Sequence, residues 1–169
     1  MSSVTVDTKE LKKLRDQLKD AQGKAQIDTF CRKAARDLAA RLLRRVVSRT
    51  PVGDYSKTYE LTEEGDLVEP GGQGGELRRA WLRDNTLEVS CIGGVYRVEV
   101  KNPKEYASYV EYGHRQEPGR YVPAIAKQLK NSWVEGKFML TKSEEEIRRT
   151  APKFLEKELE KWLREVFQW

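Results

Sequence analysis

Residues 102–113, NPKEYASYVEYG, decide the fold. They follow a run from Leu87 to Val100 that alternates like a strand, and they open with Asn-Pro, a turn signal. Tyr106, Tyr109, Val110 and Gly113 then recur at three- and four-residue spacing, which predicts a short helix with one aromatic, apolar side. Glu105 and Glu111 fall on its other faces. Gly113 suits the helix end, where a left-handed residue is needed. A short aromatic helix packed on a hairpin predicts a small α+β domain.

Working outward, Leu87, Val89 and Cys91 alternate with Glu88 and Ser90 up to Gly93-Gly94, a pair that permits the positive φ of a two-residue turn. Beyond it Val95, Arg97 and Glu99 face one way, and Tyr96, Val98 and Val100 the other, so 87–100 is a β-hairpin. Upstream, Phe30, Ala34, Leu38, Leu42 and Val46, widened by Ala35, Ala39 and Leu43, predict an amphipathic helix from Ile27 to Ser48. Before it, Leu11, Leu14, Leu18 and Ala21 stripe a helix capped by Asp7 or Thr8 and ended by Gly23, a helical extension over 1–23. Pro51 disfavours helical geometry at Thr50 and stops the long helix.

Residues 54–75 are polar and glycine-rich and read as a flexible loop, with a short strand allowed across Tyr55–Tyr59. The GGQGG at 71–75 lacks the GK[ST] of a phosphate loop and reads as a hinge. ELRRAW at 76–81 fits a helical turn or the start of a strand. Residues 115–135 form a second flexible loop, with a short helix from Ala124 to Trp133. A C-terminal helix over 144–167 has Leu155, Leu159, Trp162, Leu163 and Val166 as its apolar stripe, Pro152 as a point of bending, and Glu160–Arg164 as an ion pair. Thr141 or Ser143 caps it, Ser143 with Glu146 matching a capping box. The whole chain, 1–169, reads as one α+β domain: a small antiparallel sheet with a β-hairpin packed against long amphipathic helices.

Only 38% of the 169 residues are hydrophobic and 35% are charged, which predicts a thin core, long polar helices or surfaces that meet a neighbour. The formal charge of +5 permits contact with nucleic acid or an acidic surface without requiring it. The most basic stretch is the 27–49 helix, where Arg36, Arg41, Arg44, Arg45 and Arg49 either pair with acids elsewhere in the fold or face DNA or an acidic subunit. Cys31 and Cys91, sixty residues apart, read as reduced core residues of a cytosol-made protein. The start lacks a signal pattern, and no apolar run approaches the roughly 18 residues that span a bilayer, so no membrane is expected.

The single histidine, His114, has no metal-ligand spacing around it, and Glu105 and Glu111, six apart, do not share a helix face as an acid/base pair would. The chain reads as a non-enzyme without cofactor or metal. A nucleic-acid-binding module using helix 27–49 is the alternative, although Phe30 is the only aromatic interleaved with its arginines.

YASYVEYGH at 106–114 resembles the signature YA-x-x-VE-x-GH/T of the HK97 gp10-like phage proteins. RTPVG at 49–53, GGELRRAW at 74–81 and GKFML at 136–140 resemble that family's TPV-x-TG, G-x-L-R-x-S and G-x-x-ML, in the same order. The matching residues are Pro51, Gly53, Leu77, Arg78, Tyr106, Ala107, Val110, Glu111, Gly113, His114, Gly136, Met139 and Leu140. The long stretches 54–73 and 115–135 depart from the pattern. The resemblance implies a structural virion protein of a tailed phage or phage-tail-like particle, made in the host cytoplasm. It would form a ring at the neck or tail end, a hexamer matching the tail or a looser collar around it, completing the tail and joining it to the head. The implied partners are further copies of itself, adjacent neck or head-completion and tail-terminator or tail-tube proteins, and DNA passing through the lumen. Tyr55, Tyr59, Tyr121, Trp133 and Trp169 are the aromatic candidates for subunit interfaces.

Overall fold

The computed structural model describes residues 16, 21–53, 60–61, 67–68, 74–83, 85–122 and 127–167. Among the described residues four helices are bounded: α1 (Ala21–Arg49), α2 (Glu76–Arg83), α3 (Ala107–Tyr112) and α4 (Met139–Phe167). The strands are β1 (Glu60–Leu61), β2 (Leu67–Val68), β3 (Val89–Ile92), β4 (Val95–Val98), β5 (Gly113–Arg115), β6 (Tyr121–Val122), β7 (Lys127–Gln128) and β8 (Trp133–Glu135). Among the described residues they pair as antiparallel ladders of two: β1 with β2, β3 with β4, β5 with β8 and β6 with β7. The α+β class is as expected, with the sheet divided into these narrow ladders.

The two long helices set the frame. Each has 29 residues, about 43 Å at 1.5 Å per residue. Contacts ascending α1 descend α4: Phe30 meets Trp162, Lys33 meets Glu158, Arg41 covers Phe154, and Arg45 and Arg49 bond Glu146, so the helices run antiparallel. Leu43 and Val46 of α1, Leu77 and Trp81 of α2, and Met139 of α4 form the buried cluster. Val100, Ala107, Val110 and Leu140 close it from the side. Among the described residues no helix is long and apolar enough to cross a membrane.

The hairpin has the predicted register, Ile92 opposite Val95 and Val89 opposite Val98, with Gly93 and Gly94 both at positive φ. Two polar bonds seat it on α1, and a third inside the helix orients them. Arg32 Nη1 donates to the Val89 carbonyl (2.9 Å) and Nε to Asp28 (2.7 Å), while the Tyr96 hydroxyl donates to the other Asp28 oxygen (2.9 Å). These bonds hold the Asp28 carboxyl below its ordinary range and raise the Tyr96 phenol above its own.

Several expectations change. Gly23 does not end a helix, because α1 runs through it; a single glycine costs a helix only about 1 kcal/mol against alanine. Of the extension over 1–23, only Asp16 and residues 21–23 are described, all helical. ELRRAW is helix rather than strand, with Leu77, Ala80 and Trp81 buried together. The described residues of 115–135 form an antiparallel arm: β5–β8 encloses β6–β7, and Gln116 and Gly119 donate to Ser132 and Leu129 across it. The helix expected over 124–133 is absent at its described positions, since Lys127–Gln128 and Trp133 pair as strands with the returning chain. Cys91 is exposed instead of buried, because the two-stranded hairpin is too narrow to cover it; Cys31 is half-buried, its thiol pushed up first by burial. The C-terminal helix starts at Met139, five residues before the expected Glu144. Ser143 therefore lies inside it, fully buried and donating to the Met139 carbonyl, and forms no capping box.

Burial predicts a sharp contrast along α4. Met139→Ala should lower the unfolding free energy by about 2–5 kcal/mol, whereas Leu159→Ala, at a position 42% exposed, should change it by less than about 1 kcal/mol. Equal losses in denaturant melts would contradict this placement of the core.

Candidate functional site

The first turn of any helix leaves N–H groups without intrahelical partners. In α4 they are satisfied from α3. Glu111, 5% exposed, accepts hydrogen bonds from the Leu140 and Thr141 N–H groups (2.9 Å each) and from the Thr141 hydroxyl (2.8 Å). A carboxylate at the positive end of a helix also gains from the macrodipole. The exchange is reciprocal: Lys137 N–H donates to the Val110 carbonyl (2.8 Å) and Phe138 N–H to the Glu111 carbonyl (3.0 Å), closing the end of α3. Against expectation, then, Glu111 lies on the packed face of α3, and Thr141 is a capped residue rather than the cap.

Two glycines allow this crossing. Gly113 takes φ 86°, and a Cβ there would strike the Val134 carbonyl and the Gly136 nitrogen. A Cβ on Gly136 would strike the Glu111 carbonyl and the Tyr112 backbone. Their presence in two motifs thus has one explanation, close backbone approach.

A second joint ties the other two motifs. Arg78 Nε and Nη2 both donate to the Thr50 carbonyl (3.1 and 2.6 Å), placing a cation on the C-terminal end of α1. Thr50 is fully buried and returns its own N–H and hydroxyl to the Val46 carbonyl. A Cβ on Gly74 would strike the Gly53 carbonyl, so the segments flanking 54–73 meet at their bases. Asn102 donates to the Leu77 carbonyl (2.9 Å) and accepts the Lys104 N–H (3.1 Å), carrying the connection on toward α3. Beside it Glu76 bonds Lys104 (2.8 Å) and Arg79 (3.1 Å); these bonds, the one from Lys104 foremost, hold its pKa down to about 2.

The motif residues therefore act mostly on the fold. Leu77 and Met139 are buried in the core, with Ala107, Val110 and Leu140 packed against it. Pro51 is exposed beyond the end of α1. His114 sits half-buried in β5 opposite Val134, with Tyr109 edge-on at 5.9 Å. Its buried Nδ1 has no partner among the described residues. Tyr106 points outward. With Tyr109 and Tyr112, it forms an exposed face of α3, because the packed side is Ala107, Val110 and Glu111. Phe138 meets Tyr112 edge-on at 6.5 Å, and Trp133 lies beside Gly113, so exposed aromatics surround the α3–α4 crossing. Tyr121 is exposed on the arm, whereas Tyr55, Tyr59 and Trp169 lie outside the described residues.

The arginines divide. Arg49 bonds Ser143 (3.0 Å) and Glu146 (2.6 Å), Arg45 bonds Glu146 (3.0 Å), and Arg41 stacks on Phe154 at 4.0 Å. Among the described residues Arg36 and Arg44 have no carboxylate partner. No group of three or more His, Cys, Asp or Glu among those residues is gathered to hold a metal ion. Missed by sequence reasoning were the seat of Glu111 and the Asp28–Arg32–Tyr96 contact. Of these only the i, i+4 spacing of Asp28 and Arg32 was visible beforehand.

A family model described as "Bacteriophage HK97-gp10, putative tail-component" matches residues 12–113, more than half of the chain. No curated protein and no solved structure matches. The matched span holds the Thr50–Arg78 joint and ends at Gly113; GKFML lies beyond it, bonded back through Glu111.

Two outcomes follow for stability. Glu111→Ala should cost about 2–3 kcal/mol in denaturant unfolding, since it leaves buried donors unpaired, and Glu111→Gln should cost less because it keeps an acceptor; equal effects would exclude the capping role. For Glu76, whose folded pKa of about 2 lies below its ordinary 4.5, the stabilisation is complete above about pH 4.5 and lost as pH falls toward 2. Glu76→Gln should flatten the fall of Tm over that window, and an unchanged slope would contradict the assignment.

Proposed function

The chain belongs to the HK97-gp10-like family of phage tail components, and from that premise we propose that it is a structural subunit of the virion, ringing the upper end of the tail and joining it to the head. Copies of the chain, with a hexamer as the proposed number, contact one another and the adjacent neck and tail-tube or tail-terminator proteins around a DNA conduit. The observation that carries this reading is the exposed aromatic face around the α3–α4 crossing. Tyr112 is 62% and Tyr109 58% exposed, beside Trp133 and Phe138. Large aromatics with a polar tip are the side chains most enriched at protein interfaces. Phe138 adds to it: the residue is exposed yet holds φ 50°, a conformation that disfavours a bulky side chain. Its hydrogen bond across the crossing is made by its backbone, while its ring stays 38% exposed.

A ring requires heterologous contacts, in which different patches of each subunit meet. The chain offers such patches on different elements, the aromatic face and the arginine face of α1. A free-standing nucleic-acid module has less support, since Arg41, Arg45 and Arg49 are engaged within the fold.

The test is electron microscopy of particles assembled without this protein. Full heads beside unjoined tails, or tails with ragged upper ends, are expected; normal, joined, infectious particles would overturn the proposal. A chain carrying Tyr109→Ser and Tyr112→Ser should melt within about 1 kcal/mol of the parent, as exposed sites do, yet fail to enter particles. Normal incorporation would remove the aromatic face from the interface.

A further inference from the structure

Between α1 and α4 runs a groove of about 450 Å³ whose lining includes Leu38, Arg41, Arg44 and Arg45 on one wall and Ile147 and Phe154 on the other. Its floor is apolar and its rim carries guanidinium groups. The single carboxylate among its described residues, Glu146, is already shared by Arg45 and Arg49. Arg41 lies flat on Phe154, and Arg44 has no carboxylate partner among the described residues. Among the described residues the groove therefore presents more cations than carboxylates beside apolar surface.

The same chain carries the complementary chemistry. Residues 60–69, ELTEEGDLVE, hold five carboxylates, and no Lys or Arg occurs between Lys57 and Arg78. Leu61, Leu67 and Val68 are interspersed with these acids, and β1–β2 places Leu61 opposite Leu67 and Glu60 opposite Val68. Carboxylates suit the planar fork of arginine, and the leucines and valine suit the floor. Every described residue lining the groove belongs to α1 or α4.

We propose that this groove is the seat for the acidic 60–69 segment of a neighbouring copy. The inference rests on the ring reading above and names its contact. Each copy would present one groove and one acidic segment, so the contact is heterologous and passes from subunit to subunit until a ring closes. A phosphate backbone fits the groove less well, because Leu38, Ile147 and Phe154 occupy positions that a tracking row of cations would need.

The test uses the full chain with Cys31→Ser and Cys91→Ser, both thiols being free. A copy with Ser48→Cys, on the groove wall, is mixed with a copy carrying Glu64→Cys and oxidised; Glu99→Cys, exposed beyond the hairpin, replaces Glu64→Cys as control. The Ser48–Glu64 pair should cross-link about tenfold faster than the control at low ionic strength and fall to the control rate at high salt, as screened charge steering requires. Arg41→Glu with Arg44→Glu should abolish the advantage, and adding Glu63→Lys with Asp66→Lys to the partner copy should restore it. Equal rates for the two pairs would overturn the proposal. So would closure mainly within one chain when both cysteines are on it, which would make the chain's own segment the occupant. So would loss of binding to short duplex DNA by Arg41→Gln with Arg44→Gln at an unchanged cross-linking rate, which would assign the groove to nucleic acid. Failure here leaves the ring reading standing, because that reading is decided separately by the particles assembled without the protein.

Discussion

The carboxylate of Glu111 on the first turn of α4 is the contact from which the rest of the arrangement follows. The segment that leads into α4, Gly136-Lys137-Phe138, brings no side-chain oxygen of its own to the unpaired N–H groups. The acceptor is instead delivered from a residue 29 positions earlier. A buried carboxylate is costly unless its oxygens are bonded, and here three donors meet them. That requirement brings α3 against the start of α4, and the backbones can approach only because positions 113 and 136 carry no Cβ. Once they cross there, residues 113–135 must leave and return to the same point, which makes them an arm. Met139 is driven into the core as α4 begins.

A similar device operates at the opposite helix end. Arg78 supplies a cation to the final carbonyl region of α1, as Glu111 supplies an anion to the first N–H groups of α4. Both lie between elements that are distant in sequence, and both place a charged group where aromatic or aliphatic residues would be expected. The consequence for function is an inversion: charged motif residues work inside, and the large aromatics of the central motif are left outside. Core packing takes Ala107 and Val110 of α3, with Glu111 buried beside them, and leaves Tyr106, Tyr109 and Tyr112 exposed. In a member of a phage tail-component family, such a face is open to a partner without loss of the internal joints.

Much of the local structure was legible in the residues. The Gly93-Gly94 turn and the alternation around it specify the hairpin and its facing, because a period of two admits one register with a buried side. The stripes of α1 and α4, and the Glu160–Arg164 pair, follow from helical spacing. Family membership was legible too, from motif order. The arm was not, because its strands are two or three residues long and gain their order from pairing across the chain rather than from composition. The arginine face was half legible: its position on α1 was plain, but whether it pairs within the fold depends on Glu146, almost a hundred residues away.

Thus the sequence by itself determined the two long helices, the short helix of the central motif, the hairpin, the α+β class and the family, all of which depend on periodicity or on motifs read within a few residues. Only the tertiary structure decided which side of the 106–113 helix turns inward, why Gly113 and Gly136 are glycines, and which arginines remain open. The physical reason is common to all three. Periodicity names the faces of an element, but a face becomes inner or outer only when a partner satisfies its polar groups and fills its apolar ones, and in this chain those partners lie tens of residues away.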